Sequence, residues 1–408
     1  GVGAGWAGGR ADGTRQWGMC SGVEDAQATT DVGRRSTTTG CILWADEGGG
    51  SQVVQGKASW VSFDATGVTV NRLTTFSSPV APLLTIWAFG GTSVEVFGDL
   101  VAPSTTLNGT VTVTPGFEAD VVLAYMIGNH QDIDGNGEND VHSFSAGWAV
   151  NPARQAANNQ FCVGHSDVDG QAQGESDMAW FANRCCVSRQ AQAIDPGIEI
   201  TSFTATTFVA TTRDEAALAN DRFGCLALKL GGTNARVFSV QQAMPTVTGA
   251  QSQTGTTFTP IFLLGHAIGD DRAAATWVEA DADNASAAIA LRDGARNFAL
   301  GWWDDDEAAT SNCACRIMDT AFWSLDGPVG ALEQQATFTS FNTNGWTLNF
   351  GTASTPIKRA VYLAIGDAVG GTTDADGASA GVGASSVVAA ALWNAVHAAA
   401  GIAASVVA

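Results

Sequence analysis

Apolar and polar positions alternate over short runs in this chain. Gly67-Val-Thr-Val-Asn71 and Trp346-Thr-Leu-Asn-Phe350 have period two and are rich in β-branched or aromatic residues. Gly, Asn, Asp and Thr separate such runs. That pattern predicts half-buried strands joined by turns. Strand–helix alternation is not repeated along the chain, which argues against a parallel α/β sheet.

The runs recur in order. The segment beginning Phe63-Asp-Ala-Thr-Gly-Val-Thr-Val and ending Trp87-Ala-Phe-Gly-Gly91 is matched by Ser202-Phe203 onwards to Leu228-Lys-Leu-Gly-Gly232. A third version runs from Ser340-Phe341 to Tyr362-Leu-Ala-Ile-Gly-Asp367. Upstream, Gln16-Trp17-Gly-Met parallels Gln160-Phe161-Cys-Val and Asn297-Phe298-Ala-Leu. Val96-Phe97 parallels Val237-Phe238, and Gly116-Phe117 to Leu123 parallels Thr257-Phe258 to Leu264. The period is about 140 residues, in the range of a whole domain.

The sequence therefore predicts an all-β chain of tandem antiparallel β-sandwich repeats, jelly-roll-like in their strand content. A partial first repeat covers 1–91, a second 92–232, a third 233–367, and a Gly/Ala-rich linker and tail 368–408. The first repeat lacks the leading strands of the others. An uncovered sheet edge is an aggregation hazard. The pattern predicts that an N-terminal segment outside the sequence, the C-terminal tail or a neighbouring chain covers it. The chain starts at Gly1 rather than Met and shows no signal peptide, which predicts processing or a start further upstream. Ser385–Ala408 is Ala- and Val-rich and permits a helix. Three readings stay open for it: a disordered tail, a self-associating helix, or a membrane span whose weakly apolar Ala content and missing basic flank argue against it.

Composition narrows the function classes. The 408 residues carry 40 acidic and 19 basic side chains, a formal charge of −21, with only three lysines. Nucleic-acid binding needs a basic stripe, so this balance argues against it and against docking on anionic lipid. It is compatible with cation binding. The 13 Trp and 19 Phe argue against disorder over most of the chain.

The sharpest local motif is Asp132-Ile-Asp134-Gly-Asn136-Gly137-Glu-Asn-Asp140, which matches the D-x-[DN]-x-[DN]-G start of a calcium loop. Alternate oxygen-bearing side chains and a Gly turn suit the six to eight ligands of calcium. Asp132, Asp134, Asn136 and Asp140 are the candidate ligands. The twelfth position is Ser143 instead of Glu, and strands are expected on both sides instead of helices, so a solvated Asp/Asn/Gly turn is the competing reading. Asp281-Ala-Asp283-Asn284 is the weaker counterpart in the next repeat. Acids also follow each Gln16-type strand, as Glu24-Asp25, Asp167-Val-Asp169 and Asp304–Glu307, and read as a charged loop at one end of each sandwich.

Of eight cysteines, Cys41, Cys185/Cys186 and Cys313/Cys315 are expected on corresponding strands. Pairs such as Cys20–Cys41 or Cys162–Cys185 are placed to bridge neighbouring strands, with buried free thiols as the alternative. Cys-Cys and Cys-Ala-Cys do not fit the C-x₂-C spacing of zinc sites. Gly164-His165-Ser166-Asp167 holds the letters of a catalytic triad side by side, but a triad is assembled in space. No G-x-S-x-G, H-E-x-x-H or P-loop motif is present. Asn108-Gly-Thr and Asn284-Ala-Ser are glycosylation sequons.

The repeat unit resembles one found in bacteriophage virion proteins. The carriers are Gly116-Phe117-Glu-Ala-Asp120, Ser145-Ala-Gly-Trp148-Ala, Trp346-Thr-Leu and Tyr362-Leu-Ala-Ile-Gly366. Ala119 stands where that unit has Pro, while Pro260 fills the place in the next repeat. The first repeat closes on Trp87-Ala-Phe-Gly instead of Tyr-Leu-Ala-Ile-Gly. The resemblance implies a non-enzymatic component of the virion surface: fibre, collar, tail or capsid decoration. Its implied partners are other virion proteins and copies of itself, with a host-surface glycan as a further partner. The alternative reading is a secreted carbohydrate-binding adhesin or a cellular surface-layer or filament protein. Trp302-Trp303 beside Asp304–Asp306 would then stack on a sugar ring.

Overall fold

The computed structural model describes residues 2–10, 13–23, 32–47, 52–64, 67–74, 94–127, 141–157, 159–168, 176–190, 193–218, 220–230, 235–269, 278–279, 285–293, 296–304, 313–327, 331–353, 358–368 and 404–405. All regular elements among them are strands, and every pairing is antiparallel. The chain is all-β, built of tandem sandwiches.

The first unit contains β1 (Val2–Arg10), β2 (Gly13–Val23) and β3 (Val32–Thr37) in one sheet. A second sheet holds β4 (Ile42–Glu47), β5 (Gln52–Asp64) and β6 (Gly67–Thr74).

The second unit contains β7 (Glu95–Val101), β8 (Thr110–Val113), β9 (Val121–Met126), β10 (Val141–Val150) and β11 (Gln160–Val168). It continues with β12 (Ser176–Phe181), β13 (Cys186–Gln190), β14 (Ala193–Phe203), β15 (Phe208–Arg213) and β16 (Phe223–Lys229). Its large sheet runs β12-β11-β10-β9-β16-β7 and its small sheet β13-β14-β15-β8.

The third unit contains β17 (Ala235–Ala243), β18 (Gly249–Thr254), β19 (Phe258–Ile268), β20 (Val278–Glu279), β21 (Ala285–Arg292) and β22 (Asn297–Asp304). It closes with β23 (Cys313–Met318), β24 (Trp323–Gly327), β25 (Ala331–Asn342), β26 (Gly345–Thr352) and β27 (Arg359–Ala368). Its sheets run β23-β22-β21-β19-β27-β17 and β24-β25-β26-β18, the same order as in the second unit. Two exceptions cross between units. β20 extends the edge of the second unit's large sheet beyond β12, and β28 (Ala404–Ser405) pairs with β6 of the first.

The period-two runs fold as strands because one face of each lines a sandwich interior. Along β26, Trp346, Leu348 and Phe350 are buried while Asn349 and Gly351 are exposed. The equivalent hairpins close on Phe63 opposite Val68, Phe203 opposite Phe208 and Phe341 opposite Trp346. Each hairpin carries a register shift at the same place, between Trp60 and Ser62, Ile200 and Ser202, and Phe338 and Ser340. A bulge bends its strand and sharpens the local twist, so its recurrence marks one curved backbone used three times.

Turn chemistry is local. Asn108 and Asp214 take the left-handed conformation, which their short polar side chains tolerate. The Ala-rich tail over 369–403 lies outside the described residues, so the helical expectation there is not addressed, and 404–405 form a strand.

Candidate functional site: the seam between sandwiches

The sandwiches are not separate beads. One face of the second unit's large sheet packs on the large sheet of the third, and both contribute to one apolar core. Leu123, Trp148, Phe161 and Met178 on one side meet Leu264, Ile289, Leu291 and Leu363 on the other. The opposite face of each large sheet covers its own sandwich interior. Residues 143–150 of β10 are consequently buried on both faces, without alternation. Burying apolar area on this scale is the main force holding the units together.

Polar groups in the seam are matched across it. The Trp148 indole donates to Ser239 Oγ at 2.8 Å. Gln155 reaches over to the backbone of the same residue: its Nε2 donates to the Ser239 carbonyl at 2.7 Å, and Ser239 N donates to its Oε1 at 2.6 Å. Ser239 sits on β17, an edge strand, so one side-chain amide stands in for a neighbouring strand. The Arg359 guanidinium lies 5.1 Å over the Trp180 ring.

Two histidines lie buried in this layer. His266 Nδ1 is 3.0 Å from the Ala146 carbonyl, and its ring centroid is 5.0 Å from that of Trp148. Burial lowers His266 to about 3, so the neutral ring donates Nδ1–H to that carbonyl. His165 Nε2 is 3.0 Å from Asp304 Oδ2, with both side chains buried. The Trp302 ring stands nearly perpendicular to those of Phe144 and His165, with centroids 5.8 Å and 6.3 Å away.

The first unit also packs on the second. Trp17 is buried beneath β16, where a Cβ on Gly224 would come within 2.4 Å of its ring. Trp17 also lies 6.4 Å from Tyr125. Arg15 pairs with Asp99 at 2.5 Å. Beside this pair a groove of about 430 Å³ runs between the edges of the second sandwich, lined by Phe97, Leu100, Val101 and Thr112.

The sequence-predicted site residues distribute as follows. Asp132, Asp134, Asn136 and Asp140 lie outside the described residues, on the connection between β9 and β10. Asp281, Asp283 and Asn284 lie outside them too, as do Glu24, Asp25, Asp169 and 305–307. Among the described residues no three His, Cys, Asp or Glu side chains converge as metal ligands. No helix among them is long and apolar enough to cross a membrane. Asp167 and Asp304, expected on charged loops, are instead buried at strand ends. His165, Ser166 and Asp167 are consecutive on β11, so successive side chains point to opposite faces.

Two expectations are corrected. Trp302 and Trp303 are 6% and 1% exposed and offer no sugar platform: both faces of β22 are covered. Cys313 and Cys315 lie on β23, which corresponds to β12, whereas Cys185 precedes β13. The true counterpart of Cys185 is Phe322: Cys185 N donates to the Ile198 carbonyl as Phe322 N does to that of Ala336 and Cys41 N to that of Ala58. Cys41, Cys162, Cys185, Cys186 and Cys315 are free thiols, and Cys162, Cys185, Cys186 and Cys225 are buried. Burial pushes the Cys162 and Cys186 thiols well up. Asn108, the described sequon, sits in an exposed turn.

The quoted motifs have structural work. Asp120 accepts from Arg154 Nε at 2.6 Å and from Leu230 N at 2.8 Å. Ser145 Oγ donates to the Val187 carbonyl and accepts from Val187 N, tying β10 to β13. The Gln16-type position reaches the bulge of the facing sheet: Trp60 N donates to Gln16 Oε1 at 2.8 Å, and Ile200 N donates to Gln160 Oε1 at 2.9 Å. The seam residues His266 and Gln155 carry no sequence signal, because their partners lie in another repeat; His165 and Asp304 stand out in the sequence as a triad letter and a loop acid, but not as a pair.

Compared with known proteins, the chain matches no family model, no curated protein and no solved structure.

Proposed function

We propose that this chain is a non-enzymatic structural component of a bacteriophage virion surface, in a fibre, collar, tail or capsid decoration. It assembles there with other virion proteins and with copies of itself. The observation that carries the reading is the seam. Among the motif residues that resemble the virion repeat, Trp148 lies in the inter-unit core, while Ser145 and Asp120 make ties within a unit. A chain whose sandwiches share one apolar core is suited to bearing load in a particle. Large particles also favour symmetric oligomers. Calcium at Asp132, Asp134, Asn136 and Asp140 belongs to the same proposal, as a rigidifying ion on the β9–β10 connection. A host-surface glycan is a further partner of such a component.

Immunogold electron microscopy of the source material, with antibody against residues 92–367, tests the reading. Regular labelling at one place on phage particles is the expected result and chooses among head, collar and fibre. Labelled cell envelopes or free filaments with bare particles would sink it and leave the cellular surface protein.

A further inference from the structure

The open edge of the first unit's small sheet is met by the far end of the chain. β28 pairs antiparallel with β6, placing Ala404 opposite Val70 and Ser405 opposite Thr69. In the second and third units the same edge is held by β8 and β18, each on the far side of the matching strand.

The register makes this a residue-for-residue replacement. The three aligned hairpins put Val70 in line with Ala210 and Leu348, and Thr69 with Val209 and Thr347. Ala210 faces Val111 and Leu348 faces Gln251, so Ala404 takes the place of those two residues. Ser405 takes the place of Thr112 and Ser252, two exposed hydroxyl residues. A hydroxyl residue thus recurs at the same register position in all three units.

We propose that the segment around Ala404–Ser405 is a closing strand for the first unit, a clasp that the chain supplies to itself. It fills the slot that β8 and β18 fill elsewhere and joins two regions remote in sequence. The occupant is the same chain's own segment. Tethering makes that encounter intramolecular, with an effective concentration that a second copy in dilute solution does not reach. The connection from Ala368 to Ala404 contains 35 residues, which extend to at most about 120 Å.

The test is a cysteine pair in the full chain, Val70→Cys with Ala404→Cys. Directly opposed strand residues have Cβ atoms about 4.5–5.5 Å apart, close enough for a disulfide after a small adjustment. Mild oxidation followed by peptide mapping is expected to give a 70–404 cross-link in a monomeric chain, at a yield independent of protein concentration. A cross-link between chains, growing with concentration, overturns the clasp in favour of strand exchange between copies. Absence of any 70–404 cross-link overturns it as well. Hydrogen exchange gives a second reading without new cysteines. Truncation after residue 401 is expected to speed exchange over 67–74 by tenfold or more while 345–352 keeps its rate, and a peptide of residues 400–408 restores protection. Unchanged protection over 67–74 after truncation overturns the proposal.

Discussion

The second and third sandwiches share a strand order and a bulge position but not an interior. At three corresponding positions the second unit has Cys185, Cys186 and Cys225, and the third has Phe322, Trp323 and Tyr362. The aromatic set interlocks. Trp323 meets Phe322 at 5.2 Å and Tyr362 at 5.7 Å, and its indole donates to Tyr362 Oη at 3.1 Å. The neighbours shrink to admit it. Tyr362 lies opposite Gly265 where Cys225 lies opposite Ala124, and Trp323 lies opposite Ala336 where Cys186 lies opposite Ile198. A Cβ on Gly265 would stand 2.5 Å from the Trp323 ring. Interiors are packed to a nearly constant density, so one backbone accepts either filling when volume is conserved across facing positions.

The largest way to break this comparison is to empty the aromatic interior. Trp323→Ala is expected to cost the third unit about 3–5 kcal/mol, through lost burial and the cavity left behind. Cys186→Ala at the matching place should cost roughly 1 kcal/mol, since little more than one sulfur is removed. Urea unfolding followed by peptide-resolved hydrogen exchange reads each unit separately. Equal losses at the two positions would show that the units do not depend on their own fillings.

A second prediction moves to the seam. Burial holds His266 neutral in the folded chain by lowering it from 6.5 to about 3. The unfolded chain binds a proton at that side chain as pH falls below 6.5, and the folded chain does not. Stability from the neutral ring is therefore complete above about pH 6.5 and is lost progressively towards pH 3. The slope reaches about 1.4 kcal/mol per pH unit. His266→Asn keeps a donor near Nδ1 and removes the titration. The wild-type advantage over this variant should hold steady above pH 7 and shrink between pH 6 and 4. An advantage that stays constant down to pH 4 would contradict the assignment.

How far the sequence revealed these features depends on how many faces a strand buries. β26 is readable because its buried and exposed residues alternate. β10 is not, because a neighbouring sandwich covers its second face, and Ser143 and Ser145 are buried beside Phe144 and Trp148. The same double burial misleads at Trp302-Trp303, whose acidic neighbours suggest solvent while both rings are enclosed. Matching by residue type placed Cys313 and Cys315 beside Cys185, whereas strand order aligns Phe322 with it. The virion resemblance named residues such as Asp120 and Ser145 but not their partners: Leu230 N and the Val187 backbone have no side-chain signature, and Arg154 is one arginine among several. The candidate calcium ligands were legible as a motif, and the described residues do not reach them.

The smallest effect concerns the tie between facing sheets. In the second unit Gln160 is buried and uses both ends of its amide on Ile200, donating to the carbonyl at 2.8 Å and accepting from the N–H at 2.9 Å. These are the backbone groups at the bulge, where the ladder is locally interrupted. In the third unit the corresponding residue is Asn297, one methylene shorter. It accepts from Arg292 at 3.2 Å, and the Arg292 guanidinium stands 4.5 Å over the ring of Phe338, the residue at the bulge. A cation over a ring thus occupies the place of an amide bridge. Gln160→Ala should cost about 1–3 kcal/mol, because two buried backbone groups lose their partner. Asn297→Gln should give the third unit a bridge of its own and raise its stability by about 0.5–1.5 kcal/mol, the net worth of one such hydrogen bond. Slower hydrogen exchange over 331–342 in the Gln variant would confirm that the bridge reaches Phe338. Unaltered exchange there, with Gln160→Ala still destabilising the second unit, would show that the arginine over Phe338 closes the site to a longer amide.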